Sequence, residues 1–232
     1  MGLGLGDKWR YIINTLDKLI PIYDKGNFII SLGQDIRYRR DGILSIIREG
    51  DLILDLGCGP GTMSMIVKQN FNYLNGIVMY DALKSMLREA KKRISGDNVS
   101  IIQGVFEYLP FKNYTFNSVI CGFALRDAKD LIMAINEIFR VLKNDGKLLI
   151  VDLGKPNNHI LRIIIGLYWR FIAPILTFIL LGSMGKYYSA LYLTYKNLQV
   201  NESLKSLLKR LFNKVEFNTR MMGGVVIIIA EK

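Results

Sequence analysis

Short β-branched runs alternate with helical periods through the middle of the chain, a pattern that predicts strands at 52–56, 76–80, 99–103, 118–122 and 147–151. Between them, apolar residues at three- and four-residue spacing predict helices over 62–69, 83–93 and 129–142. The last is the clearest, with Leu131, Ala134, Ile135, Ile138, Val141 and Leu142 on one stripe. Such alternation implies an α/β domain, a mostly parallel sheet with crossover helices on its faces. Asn144-Asp145-Gly146 supplies turn chemistry before the fifth run. A further helix is predicted over 202–212 from Leu204, Leu207, Leu208 and Leu211. Runs at 215–220 and 225–230, separated by Met221–Gly224, then predict an antiparallel hairpin. Residues 1–50 read as helices punctuated by Gly26, Gly33 and Gly42, and are expected to form an N-terminal helical lid rather than a domain of their own. The main domain is then 51–232, with an apolar helical insertion at about 157–200.

Within that insertion Ile160–Gly182 is apolar except for Arg162 and Arg170. Roughly 20 such residues suffice to span a bilayer as a helix. Arg170 near the middle and Pro174 favour an interfacial or buried pair of helices over a single span. The 232 residues are 50% hydrophobic with a mean hydropathy of +0.22, which excludes a disordered chain. Formal net charge is +11, and it is uneven: eleven basic against three acidic residues give 155–232 a net +8. Such a face attracts phosphates, of nucleic acid or of lipid head groups. Cys58 and Cys121 have no disulfide or zinc spacing, and His159 is the sole histidine, so metal sites and histidine-based relays are not expected. Met1–Gly6 lacks the cationic start of a secretory leader, which makes a cytoplasmic location the expectation.

The first strand runs directly into a glycine turn, Asp55-Leu-Gly57-Cys-Gly59-Pro-Gly61, that opens a helix. Backbone amides in such a turn can approach a ligand closely. The dinucleotide fingerprint would place its third glycine at position 62, which is Thr62, and no Lys-Ser or Lys-Thr follows for a nucleotide triphosphate loop. A turn that merely packs strand on helix is the bland alternative. Asp81 ends the second run, where a carboxylate can accept two ribose hydroxyls or cap a helix.

The Asp55-x-Gly57-x-Gly59-x-Gly61 spacing resembles the first motif of class I S-adenosylmethionine-dependent methyltransferases. Further matches are similar to the ubiquinone/menaquinone biosynthesis C-methyltransferase family. They are Tyr23-Asp24, Asp81-Ala-Leu-Lys-Ser-Met-Leu87, Leu109-Pro-Phe111, Gly122-Phe-Ala-Leu-Arg-Asp127, Glu137 to Lys143 with Gly146, and Lys155-Pro156. In the tail, Tyr188, Leu191, Glu202 to Lys205 and Gly223 to Val226 fall at the family's spacing. Gly-Phe-x-Leu-Arg after the fourth strand discriminates best, because substrate and methyl donor meet there. The resemblance implies a Rossmann-like class I methyltransferase fold with a seven-stranded sheet. It also implies S-adenosyl-L-methionine contacts from Asp55, Gly57, Cys58, Gly59, Gly61, Asp81, Ala82, Phe106, Glu107 and Cys121. Two departures stand out. Val105 replaces the acidic or amide residue usual beside the adenine, and Asp127 replaces an asparagine.

Methyl transfer to a ring carbon needs positioning and one acid-base relay, without a metal. The resemblance casts Arg126 as stabiliser of a phenolate, with Asp127 and Tyr23 relaying its proton. The plainer readings are an Arg126 ion pair with Asp127 or Asp130, an Asp127 helix cap and a structural Tyr23 hydroxyl. The acceptor is expected to be the reduced ring of a prenylated quinone precursor, so that the apolar insertion and the basic tail seat the enzyme on the inner face of the cell membrane. A second subunit covering the insertion, another lipid acceptor, RNA, and a non-catalytic binding module are the alternatives. No nucleic acid partner is expected, because Cys121-Gly-Phe-Ala124 lacks a nucleic-acid methyltransferase tetrad.

Overall fold

The computed structural model describes residues 3–232, so Met1 and Gly2 of the expected lid lie outside it. Seven strands form one sheet in the order β3-β2-β1-β4-β5-β7-β6. They are β1 (Leu52–Leu56), β2 (Gly76–Asp81), β3 (Val99–Gln103), β4 (Phe116–Gly122), β5 (Leu142–Leu153), β6 (Lys214–Arg220) and β7 (Val225–Glu231). The first five are parallel; β7 inserts antiparallel between β5 and β6. Alternate residues face opposite sides and both sides are covered, which explains the near-continuous apolar runs. Leu54, Leu56, Cys121, Leu148 and Ile150 pack on one side, and Ile53, Met79, Ile120, Leu149 and Val151 on the other.

The N-terminal helices are α1 (Trp9–Leu19), α2 (Tyr23–Ile30) and α3 (Asp35–Ile46). They do not act alike. Tyr38, Ile43 and Ile46 of α3 belong to the sheet's own covering layer, and Gly42 lies so close to Leu149 that a Cβ would sit 2.7 Å from it. Only α1 and α2 lie over the strand ends. They are fastened to α5 (Lys84–Arg93) by an Asp17–Ser85 hydrogen bond and an Asp24–Arg93 ion pair of 2.5 Å.

The crossover helices α4 (Thr62–Asn70), α5 and α6 (Leu131–Val141) fall where the periodicity places them. Strand β5 begins five residues earlier than predicted. Leu142 pairs with Phe116, and the ladder resumes at Lys147 opposite Ser118 after Asp145 turns through a positive φ of 60°. The Asn-Asp-Gly turn is thus a bulge inside the strand.

The apolar insertion forms α7 (His159–Leu167), a π-helical turn at Tyr168–Ile172, and α8 (Ala173–Leu181). The chain reverses at Gly182, whose φ is +69°, and 182–189 returns along α8. There Gly185 packs against Thr177, whose hydroxyl donates to its carbonyl at 2.9 Å. Helices α9 (Ala190–Asn197) and α10 (Asn201–Leu208) lead into β6. The stretch His159–Asn197 is long and apolar enough to cross a membrane by length and composition, and 28% of its most apolar window is buried. Trp169, Tyr188 and Tyr195 anchor its inner side on Leu19, Ile30 and Leu153.

Candidate active site

Three left-handed glycines build the turn after β1, at φ +68°, +53° and +87° for Gly57, Gly59 and Gly61. The amides of Gly57 and Cys58 both donate to the Tyr80 carbonyl, which fastens the turn to the end of β2. A Cβ on Gly57 would lie 2.5 Å from Ala124 and one on Gly61 2.8 Å from Ile94, whereas at Gly59 nothing comes closer than Tyr23 at 4.0 Å. The open space therefore lies over Gly59. Asp81 accepts from the Gly59 amide at 2.9 Å and the Leu83 amide at 2.8 Å, so it both steadies the turn and starts α5. Burial raises its carboxyl above the ordinary value.

Asp55 is fully buried beneath the turn, where one oxygen accepts from the Ser64 amide and hydroxyl at 3.0 and 2.6 Å. Its other oxygen has no partner. Burial pushes the carboxyl up to about 6, against the lowering effect of the Ser64 hydrogen bonds.

A cavity of about 50 Å³ lies above the turn, roofed by Trp9, Ile13 and Leu16 of α1. Of the predicted residues, Tyr23, Gly57, Gly59, Asp81, Ala82, Phe106, Glu107 and Asp127 line it. Cys58, Gly61 and Asp55 sit underneath or beside it, and Cys121 is wholly buried in the core on the α6 side of the sheet. Glu107 accepts from the Asp130 amide at 2.9 Å, tying this wall to the start of α6. At the position lacking an acid or amide, the Val105 carbonyl accepts from the Tyr80 hydroxyl at 3.1 Å. Phe111 and Phe116 stack edge-on at 4.9 Å within the core, as their plainer reading has it.

The second cavity, about 250 Å³, lies beyond Phe123 and is lined by Tyr38, Leu153, Trp169, Leu191 and Met222 among others. Phe123 borders both cavities; Arg126 faces the larger one and Asp127 the smaller. Arg126 is buried between Asp152, at 2.8 Å, and Asp127, at 3.7 Å. Burial alone would lower its pKa, but the two carboxylates outweigh that and hold it above the ordinary value. Burial lifts Asp127 to about 6 against the pull of Arg126. Burial likewise raises the Tyr23 phenol, while the charges of Arg39 and Arg126 pull it down. Asp130, not Asp127, caps α6, accepting from the Ile132 and Met133 amides at 3.0 and 3.1 Å. It does not reach Arg126.

Two charged residues of this site escape local spacing. Asp152 interrupts the apolar run of β5, an irregularity that signals a buried charge needing a partner. Arg39 shares the buried face of α3 with Asp35, Gly42, Ile43 and Ile46, a helical periodicity in which a cation is the odd member.

These features fit S-adenosyl-L-methionine: a strand-end carboxylate for ribose hydroxyls, a glycine turn with room only over its middle glycine, and an unpartnered carboxylate oxygen for an ammonium. The sequence profile of the ubiE/COQ5 methyltransferase family matches residues 6–232. The chain belongs to the ubiE/COQ5 methyltransferase family. It is 26% identical over 236 aligned positions to a demethylmenaquinone methyltransferase of Symbiobacterium thermophilum, covering 97% of this chain and 94% of that one. A protein of the same name from Listeria welshimeri is 29% identical over 196 positions, covering 83% and 80%. Among solved structures, a candidate methyltransferase of Haloferax volcanii, in complex with the Trm112 methyltransferase activator, superposes with a TM-score of 0.69 at 14% identity, covering 93% and 96%. A candidate S-adenosyl-L-methionine-dependent methyltransferase of Methanococcus maripaludis gives 0.63 at 20% identity, covering 93% of each chain. Those two likenesses establish the class I methyltransferase fold. As a ubiE/COQ5 family member the chain is an S-adenosyl-L-methionine-dependent methyltransferase.

Proposed function

We propose that this enzyme methylates a ring carbon of the reduced form of a prenylated quinone precursor, working at the cytoplasmic face of the membrane. One observation carries the reading: Arg126 and Asp127, adjacent in sequence, stand between the cavity over the glycine turn and a larger, mainly apolar cavity. The relatives named demethylmenaquinone methyltransferases support a naphthoquinol as acceptor. When bound, S-adenosyl-L-methionine supplies an electrophilic methyl group on a sulfonium. Asp81 and the glycine turn orient it from below. Arg126, fixed by Asp152, stabilises negative charge on an acceptor oxygen, and that charge makes the ring carbon nucleophilic. Asp127, at about 6, accepts the phenolic proton near neutral pH, and Tyr23 beside it extends the relay; after the ring carbon has received the methyl group it releases its own hydrogen as a proton, which restores the aromatic ring. Trp169 lines the larger cavity with its indole N–H unpartnered, and this donor suits a second ring oxygen.

The membrane part of the reading rests on where the larger cavity opens. Its lining residues Ile164 and Met222 are exposed, as are Ile160, Phe171, Ile175, Phe178 and Ile179 of the insertion that carries Ile164. Exposed Arg170 and Lys186 lie in the same insertion and form no ion pair among the described residues. An apolar face with unpaired cations suits an anionic bilayer, where an isoprenoid tail can stay in lipid while the ring enters the cavity.

The test is the purified enzyme with methyl-labelled donor and a short-tailed demethylmenaquinol. One label per ring, at carbon, is expected from the quinol and none from the quinone. A donor-binding enzyme that labels no quinol would overturn the acceptor assignment. Flotation with anionic vesicles at low and high salt tests the membrane assignment separately, and failure to float at low salt removes it.

A further inference from the structure

We propose that Arg39 binds the carboxylate of the methyl donor's methionine portion. The inference rests on S-adenosyl-L-methionine as donor and not on the identity of the acceptor. Arg39 is 3% exposed. Its Nη1 donates to the Gly122 carbonyl at 3.2 Å, and its guanidinium lies 4.8 Å from the centre of the Phe123 ring. Its Nε has no partner, and among the described residues it forms no ion pair. Arg126, equally buried, is flanked by two carboxylates. A guanidinium withdrawn from water with no anion is strongly unfavourable, so an anion from outside the chain is expected to complete the pair.

The position of Arg39 says which anion. Gly122 ends β4 and the next residue, Phe123, borders both cavities; a Cβ on Gly122 would lie 2.4 Å from the guanidinium, so glycine there makes its room. The charge of Arg39 is felt by Tyr23, which lines the donor cavity, and by Asp55 beneath it. Asp81, the ribose-binding acid, belongs to β2, on the far side of β1 from β4. Arg39 therefore stands at the amino-acid end of the donor. Asp55 keeps one unpartnered oxygen and Arg39 one unpartnered nitrogen. A zwitterion carrying one ammonium and one carboxylate matches these two orphans in number and in sign.

Calorimetric binding of S-adenosyl-L-methionine and of its decarboxylated form, which keeps the sulfonium and the amine, tests the proposal without turnover. The wild-type enzyme is expected to prefer the carboxylated ligand by about 100-fold. Arg39→Gln should bring the two affinities within about threefold, and Arg39→Lys should keep most of the preference. Equal wild-type affinities overturn the proposal whether or not the glutamine variant folds, as does an undiminished preference in a folded Arg39→Gln. Loss of affinity for both ligands in the wild type would instead sink the donor assignment on which the proposal stands.

Discussion

Asp127 combines a value of about 6 with a place on the wall between two cavities, so its protonation state decides whether it can act as a base. It accepts a proton only when ionised. Turnover at saturating donor should therefore fall as pH drops through about 6 and level off above it. Asp127→Asn should abolish that limb and lower the plateau by roughly 10²–10³-fold, with donor affinity retained. Asp55 also sits at about 6, but its titration should appear in donor affinity rather than in kcat, so the two are separable. The glycines differ in the same residue-by-residue way. Gly57→Ala meets Ala124 and Phe106 and should lower stability by about 2 kcal/mol or more, read as a fall in Tm. Gly59→Ala meets open space, so its main effect should be weaker donor binding. Arg126 and Asp127 stand out in the sequence through the Gly122-to-Asp127 resemblance, and the structure places them at the two adjoining cavities. Asp152 and Arg39 do not, because their partners at 126 and 122 are brought close only by the sheet.

Helices and strands were legible wherever periodicity and burial agree, as in α6 with its single stripe and its Asp130 cap. The start of β5 was not, since a four-residue bulge opposite Asn117 breaks the strand's local pattern while Leu142 still pairs with Phe116. Within the first fifty residues α3 packs on the sheet, and because its buried face includes Asp35 and Arg39 the sequence shows no clean apolar stripe to mark that role. In the apolar insertion, Pro174 follows the π-turn, a local irregularity that accommodates its missing N–H within the helical chain. The reversal at Gly182 then leaves the outer side of α8 exposed. Ile175 and Ile179 are 54% and 69% exposed, so Ile175→Glu with Ile179→Glu should leave Tm nearly unchanged. Flotation with anionic vesicles should drop several-fold.

For the molecule as a whole, donor binding to the native state alone should raise thermal stability. At a hundredfold excess over Kd the gain is about 2.7 kcal/mol, or roughly 5–10 °C for a chain of this size, measurable by calorimetry. The net +8 of residues 155–232 acts at longer range, so vesicle binding should weaken with added salt while the buried donor site changes little.

The two cavities share one lining residue, the aromatic ring of Phe123. The donor side is roofed by α1, and the acceptor side ends at Met222 and Ile164. Donor and acceptor are thereby assigned separate spaces on either side of that ring. If the enzyme works on a vesicle as proposed, donor exchange and acceptor exchange are then independent events that need no release from the lipid. Its kinetics should then be random in order, and each landing should complete many turnovers before release.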